Sequence, residues 1–136
     1  MVEGSCLCGA VRFAIDGWVS PLQYCHCQRC QKASGGAFVA AVAASMESFR
    51  WLQGDDLVGV FALPVRSEPP PYRTAFCRRC GAPVPIADPE RPFAVIPAGA
   101  LDVPRDVEQV GPGLRGAGPA LLRGSQRLEA MLHEAG

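Results

Sequence analysis

The chain carries no excess of either charge. Thirteen basic residues balance thirteen acidic ones over 136 residues, so it does not supply the positive surface of a non-specific nucleic-acid binder. Lysine is almost missing: Lys32 stands alone beside twelve arginines. Long apolar runs are missing too. The longest, Ala37 to Ala44, falls far below the ~20 residues of a membrane-spanning helix. Met1 to Cys6 offer neither the basic start nor the apolar stretch of a secretion signal. The expectation is a cytoplasmic protein with neither a membrane nor a nucleic-acid partner. A hydrophobic fraction of 49% with 19% charged residues excludes a disordered chain and suits a single folded domain.

Cysteine is what the chain does have. The seven are Cys6, Cys8, Cys25, Cys27, Cys30, Cys77 and Cys80, in the clusters C-x-C, C-x-C-x-x-C and C-x-x-C. A disulfide framework favours an even number and an oxidising compartment. Close clusters bring several thiolates to one point, which a soft divalent metal requires. A redox role for Cys77 and Cys80 is the competing reading, but such pairs open a helix, whereas Gly81 and Pro83 point to a turn here.

Apolar periodicity gives a mostly β chain. Val11, Phe13 and Ile15 alternate with Arg12 and Ala14, predicting a strand over 6–15 with Cys6 and Cys8 on one face at its head. Leu22 to Cys25 is read as extended and Phe38 to Val42 as a strand, although its alanines also permit helix; Tyr72 to Phe76 leads into the last cysteine pair, and Phe93 to Ile96 supplies another strand. A knuckle at Cys25 to Cys30 leads into a helical turn through Gln31 and Ala33, ended by Gly35 and Gly36. Phe49 to Leu52 and Leu57 to Phe61 flank Gly54-Asp55-Asp56, a hairpin signal. The expected organisation is one zinc-stapled β domain over 1–110. Over 111–136 it expects a Gly/Pro-rich connection and a short amphipathic helix bearing Leu121, Leu122, Leu128, Met131 and Leu132.

Seven thiols divide into four and three. A structural zinc site is closed by four protein ligands, while a catalytic one keeps a position open. Cys6 and Cys8 with Cys77 and Cys80 make a closed set from two distant knuckles. Cys25, Cys27 and Cys30 remain as a three-thiolate claw. His26 either closes that claw or, because alternate residues of an extended segment face opposite ways, supports it by a hydrogen bond. His133 lies far along the tail.

Gly4-Ser5-Cys6-Leu7-Cys8-Gly9-Ala10-Val11, Cys25-His26-Cys27-Gln28-Arg29-Cys30-Gln31-Lys32 and Phe76-Cys77-Arg78-Arg79-Cys80-Gly81 together resemble the glutathione-dependent formaldehyde-activating enzyme family, which includes the centromere protein V-type domain. Pro97-Ala98-Gly99-Ala100-Leu101-Asp102 resembles the strand and turn that follow in that family, and the likeness covers roughly residues 4–104. It implies a β-tent fold of complex mixed sheets with two zinc ions per chain. Cys6, Cys8, Cys77 and Cys80 would hold the structural zinc, and Cys25, Cys27 and Cys30 the catalytic one. The chain departs from the family after Asp102. A glycine- and proline-rich stretch over 110–119 stands where relatives carry a histidine and then a tryptophan.

The implied activity is that of a carbon–sulfur lyase joining glutathione and formaldehyde as S-(hydroxymethyl)glutathione. Three thiolates leave zinc with a net charge of about −1, poorly suited to activating water but able to ionise a fourth thiol. Arg29 and Lys32 are candidates for holding substrate carboxylates, and Ser34 for shaping the pocket wall. Two readings compete with the enzyme: a zinc-stabilised binding module without catalysis, and a thiol sensor that loses metal on oxidation.

Overall fold

The structure, a computed structural model, describes residues 1–63 and 72–102. The Gly/Pro connection and C-terminal helix expected over 111–136 lie outside the described residues.

Eight strands and one short helix make up the described chain: β1 (Val2–Ser5), β2 (Arg12–Ile15), β3 (Gln23–Cys25), α1 (Gln28–Ser34), β4 (Val39–Ser45), β5 (Phe49–Gln53), β6 (Val58–Ala62), β7 (Arg73–Cys77) and β8 (Phe93–Pro97). They form three small sheets, ordered β1-β2-β5, β3-β4-β8 and β6-β7. The result is the mostly β, many-sheeted fold expected, and every pairing among the described strands is antiparallel.

The main core lies where the first two sheets meet. Phe13, Ile15 and Phe49 from one pack against Val42, Ala44, Ala94 and Ile96 from the other. Phe13 stacks on Phe49 with centroids 5.7 Å apart, and Trp51 meets Phe49 edge-on at 4.9 Å. Small residues on β4 and β8 let the sheets approach this closely. Gly4 serves the same end, since a Cβ there would fall 2.1 Å from the Phe13 ring. The Ser5 hydroxyl donates to the Asp102 carboxylate, and the Asp102 N–H donates to Glu3 O at 2.8 Å. The Leu-Asp turn is thereby fastened to β1.

Three expectations need correction. The strand over 6–15 begins only at Arg12. Residues Cys6 to Val11 form a closed turn, with the Cys6 N–H donating to Val11 O at 3.0 Å. Ala14, read as outward-facing, is fully buried along with Val11, Phe13 and Ile15, so β2 is covered on both faces. The hairpin at Gly54 is absent. Asp55–Leu57 is a 3-10 turn that carries the chain out of the first sheet, so β5 pairs with β2 and β6 with β7.

Candidate metal centre

The seven cysteines are free thiols and gather in two groups. In the first, the sulfurs of Cys6, Cys8, Cys77 and Cys80 all lie within 4.8 Å of one another. They come from two similar knuckles. In each, the leading cysteine donates its N–H five residues onward, Cys6 to Val11 O and Cys77 to Ala82 O, and its carbonyl accepts from a glycine, Gly9 or Gly81. Those glycines have φ of 78° and 77°, a left-handed turn that a side chain strains. The turns aim backbone donors at sulfur: the Val11 N–H reaches Cys6 Sγ and the Arg79 N–H reaches Cys77 Sγ, each at 3.3 Å.

These distances suit a metal. Tetrahedral bonds of about 2.3 Å from zinc to sulfur would set the sulfurs about 3.8 Å apart. Cys6 and Cys8 are 3.6 Å apart, and Cys8 and Cys77 3.9 Å. The electrostatics agree. N–H groups of Ala82 and Cys8 draw the Cys80 thiol down to about 6. At Cys8 the Ala10 N–H favours the thiolate, but lost hydration and the neighbouring sulfurs outweigh it and push the thiol up to about 11. Four sulfurs this close cannot all ionise without a cation among them.

The second group is Cys25, Cys27 and Cys30, again with all sulfurs within 4.8 Å. Cys25 ends β3 and is fully buried, while Cys30 is 2% exposed on the inner face of α1. Cys27 caps α1, its sulfur accepting the Cys30 N–H at 3.4 Å. Burial pushes the Cys25 and Cys30 thiols up. Burial also opposes ionisation of Cys27, but the Cys30 N–H, the two neighbouring thiols and the Arg29 N–H prevail and hold that thiol below its usual range. The donor set fits a soft divalent metal with three protein ligands.

Other candidate residues stand at different distances from the claw. His26 is not part of its ligand group. Its ring packs on Phe38 with centroids 5.3 Å apart, and its buried Nε2 has no hydrogen-bond partner among the described residues. Arg29 is half-buried, with its guanidinium 5.0 Å above the centre of the Tyr72 ring. Lys32 is exposed in the last turn of α1. Ser34 is exposed as well, and its hydroxyl accepts the Gly36 N–H in the turn that ends the helix. Sequence reasoning missed Tyr72, whose hydroxyl donates to Cys30 Sγ at 3.4 Å.

A family described as "Glutathione-dependent formaldehyde-activating enzyme" matches residues 1–112. The chain belongs to the glutathione-dependent formaldehyde-activating enzyme family. One relative, a Halomonas elongata protein named "Putative glutathione-dependent formaldehyde-activating enzyme", is 33% identical over 117 residues, 81% of this chain and 73% of its own length. A Rhodobacter sphaeroides protein of known crystal structure shares the fold, with a TM-score of 0.55 and 22% identity, covering 77% of this chain and 94% of that one. Among the described residues, no helix is long and apolar enough to cross a membrane.

Proposed function

We propose that this family member is a zinc-dependent carbon–sulfur lyase that forms or cleaves S-(hydroxymethyl)glutathione, with Cys25, Cys27 and Cys30 as its catalytic metal ligands. The observation that carries this reading is the pair of unequal thiol groups, four together and three together. Four thiolates complete a tetrahedron and serve structure, so Cys6, Cys8, Cys77 and Cys80 hold the structural zinc. Three leave one position for a substrate. Zinc held by the claw would accept a fourth thiol there and favour its ionised, nucleophilic form.

The reaction joins the sulfur of glutathione to the carbon of formaldehyde. A C–S bond forms, the carbonyl π bond opens onto oxygen, and the proton lost by sulfur ends on the new hydroxyl. The chain's own contribution is orientation. Buried Cys25 and Cys30 fix one side of the site, and Arg29 supplies a cation suited to a carboxylate of the tripeptide. Lys32, exposed two residues beyond Cys30, adds a long-range attraction for the same anion. Ser34 holds the adjoining turn. A cytoplasmic setting, where glutathione keeps thiols reduced, suits seven free cysteines.

The test is exchange between formaldehyde, glutathione and their adduct, followed by NMR on zinc-loaded protein. Exchange faster than in its absence, and lost in Cys27→Ser, is expected. The spontaneous rate with protein present would exclude this substrate pair.

A further inference from the structure

Tyr72 reaches the three-cysteine claw from outside the cysteine clusters. It lies 42 residues from Cys30, yet its hydroxyl donates to Cys30 Sγ at 3.4 Å, while the Arg29 guanidinium covers its ring at 5.0 Å. Tyr72 also packs against the small apolar group formed by Cys25 and Cys30. Building on the open-site reading above, we propose that Tyr72 is a positioning residue of the three-thiolate site, steadying Cys30 for metal through its hydroxyl and seating Arg29 through its ring for a carboxylate-bearing thiol.

Two physical arguments support the double role. Cys30 is 2% exposed, so a thiolate there has lost its water and needs a donor in its place. The Tyr72 hydroxyl supplies one, and by drawing charge from the sulfur it eases the excess negative charge of three thiolates around one divalent ion. Arg29, in turn, immediately precedes Cys30 on α1, and adjacent residues of a helix do not share a face. The helix alone does not bring the guanidinium to the sulfur. Tyr72 links the two, its hydroxyl on the sulfur and its ring under the guanidinium. A cation resting on an aromatic face keeps its N–H edge free for bidentate binding of a carboxylate.

The experiment compares the full-length wild type with Tyr72→Phe, Tyr72→Leu and Arg29→Gln, by chelator competition for zinc and by cobalt spectra with and without glutathione. Phenylalanine keeps the ring and removes only the hydroxyl. It is expected to weaken the second zinc about ten-fold and to move the sulfur-to-cobalt charge-transfer band to longer wavelength, since the sulfur becomes more electron-rich. Wild-type affinity and an unmoved band would overturn the hydroxyl's role. Leucine removes the seat as well, and should require about ten-fold more glutathione than Tyr72→Phe to change the cobalt spectrum, a gap that closes with uncharged 2-mercaptoethanol. Equal glutathione requirements for the two variants would overturn the seat. Should Tyr72→Leu not fold, Arg29→Gln tests the same point: weaker glutathione binding at unchanged zinc affinity is expected, and unchanged glutathione binding overturns it. None of these readouts needs turnover. Loss of the formaldehyde reading alone would leave them standing.

Discussion

The sulfurs of Cys8 and Cys77 lie 3.9 Å apart although 69 residues separate them. Their contact ties the turn before β2 to the turn after β7, and so joins the first sheet to the third. Val11, Ala75 and Val84 pack beside these cysteines in a small core of their own. Trp51 of β5 and Val58 of β6 pack on that core as well, so the four-cysteine group and this apolar cluster together fasten the two parts.

That fastening should dominate stability. Zinc bound by such sites contributes folding free energy directly, on the order of 10 kcal/mol in small domains. Cys77→Ser, or treatment of the protein with a strong metal chelator, is expected to abolish the cooperative thermal transition seen by circular dichroism. Cys27→Ser should leave a cooperative transition in place. A Cys77→Ser protein that melts like wild type would show that the knuckles hold together without metal.

The knuckle turns have a measurable conformational cost of their own. A Cβ added at Gly81 would meet nothing within 4 Å, yet φ there is +77°. Gly81→Ala therefore tests backbone strain without steric collision, and is expected to cost about 1 kcal/mol or somewhat more. Gly99 has the same open surroundings without a positive φ, so Gly99→Ala should lie within about 0.5 kcal/mol of wild type. Urea unfolding of the two variants separates these cases, and equal midpoints would contradict the strain at Gly81.

Acid should release a different contact. The Glu90 N–H, the Arg73 guanidinium at 2.7 Å and Arg91 hold the Asp88 carboxyl below its usual range. A carboxyl depressed by folding adds stability above its unfolded pKa of about 3.9 and loses it as pH falls through the folded value. Asp88→Asn should be less stable than wild type at pH 6, and the gap should close as pH drops below about 4. A gap of constant size in urea midpoints across that range would show that the charge on Asp88 does not matter.

Some of this was legible in the sequence and some was not. The grouping of thiols could be read because each knuckle keeps its ligands within a few residues, so the turn itself converges the sulfurs. Strand positions at Gln23–Cys25, Phe49–Gln53 and Phe93–Pro97 followed from short apolar runs between turn residues. Pairing did not follow. Gly54-Asp55-Asp56 has hairpin composition, but each flanking strand finds a better-buried partner elsewhere, and tertiary packing overrode the local signal. β1 was missed because Val2-Glu3-Gly4-Ser5 lacks any alternation, and its place depends on Gly4 lying against Phe13. Tyr72 was missed for a similar reason. Its value lies in a contact with Cys30 across the fold, and no spacing rule connects the two.

The most direct test of the proposed open site is a glutathione titration of the cobalt-loaded protein. Two cobalt ions per chain are expected, and glutathione should change the thiolate-to-cobalt absorption of one while the other stays constant. In Cys27→Ser only the unresponsive ion should remain. A wild-type protein that binds two ions, neither of which responds to the thiol, would contradict an open three-thiolate site, as would a response that survives in Cys27→Ser.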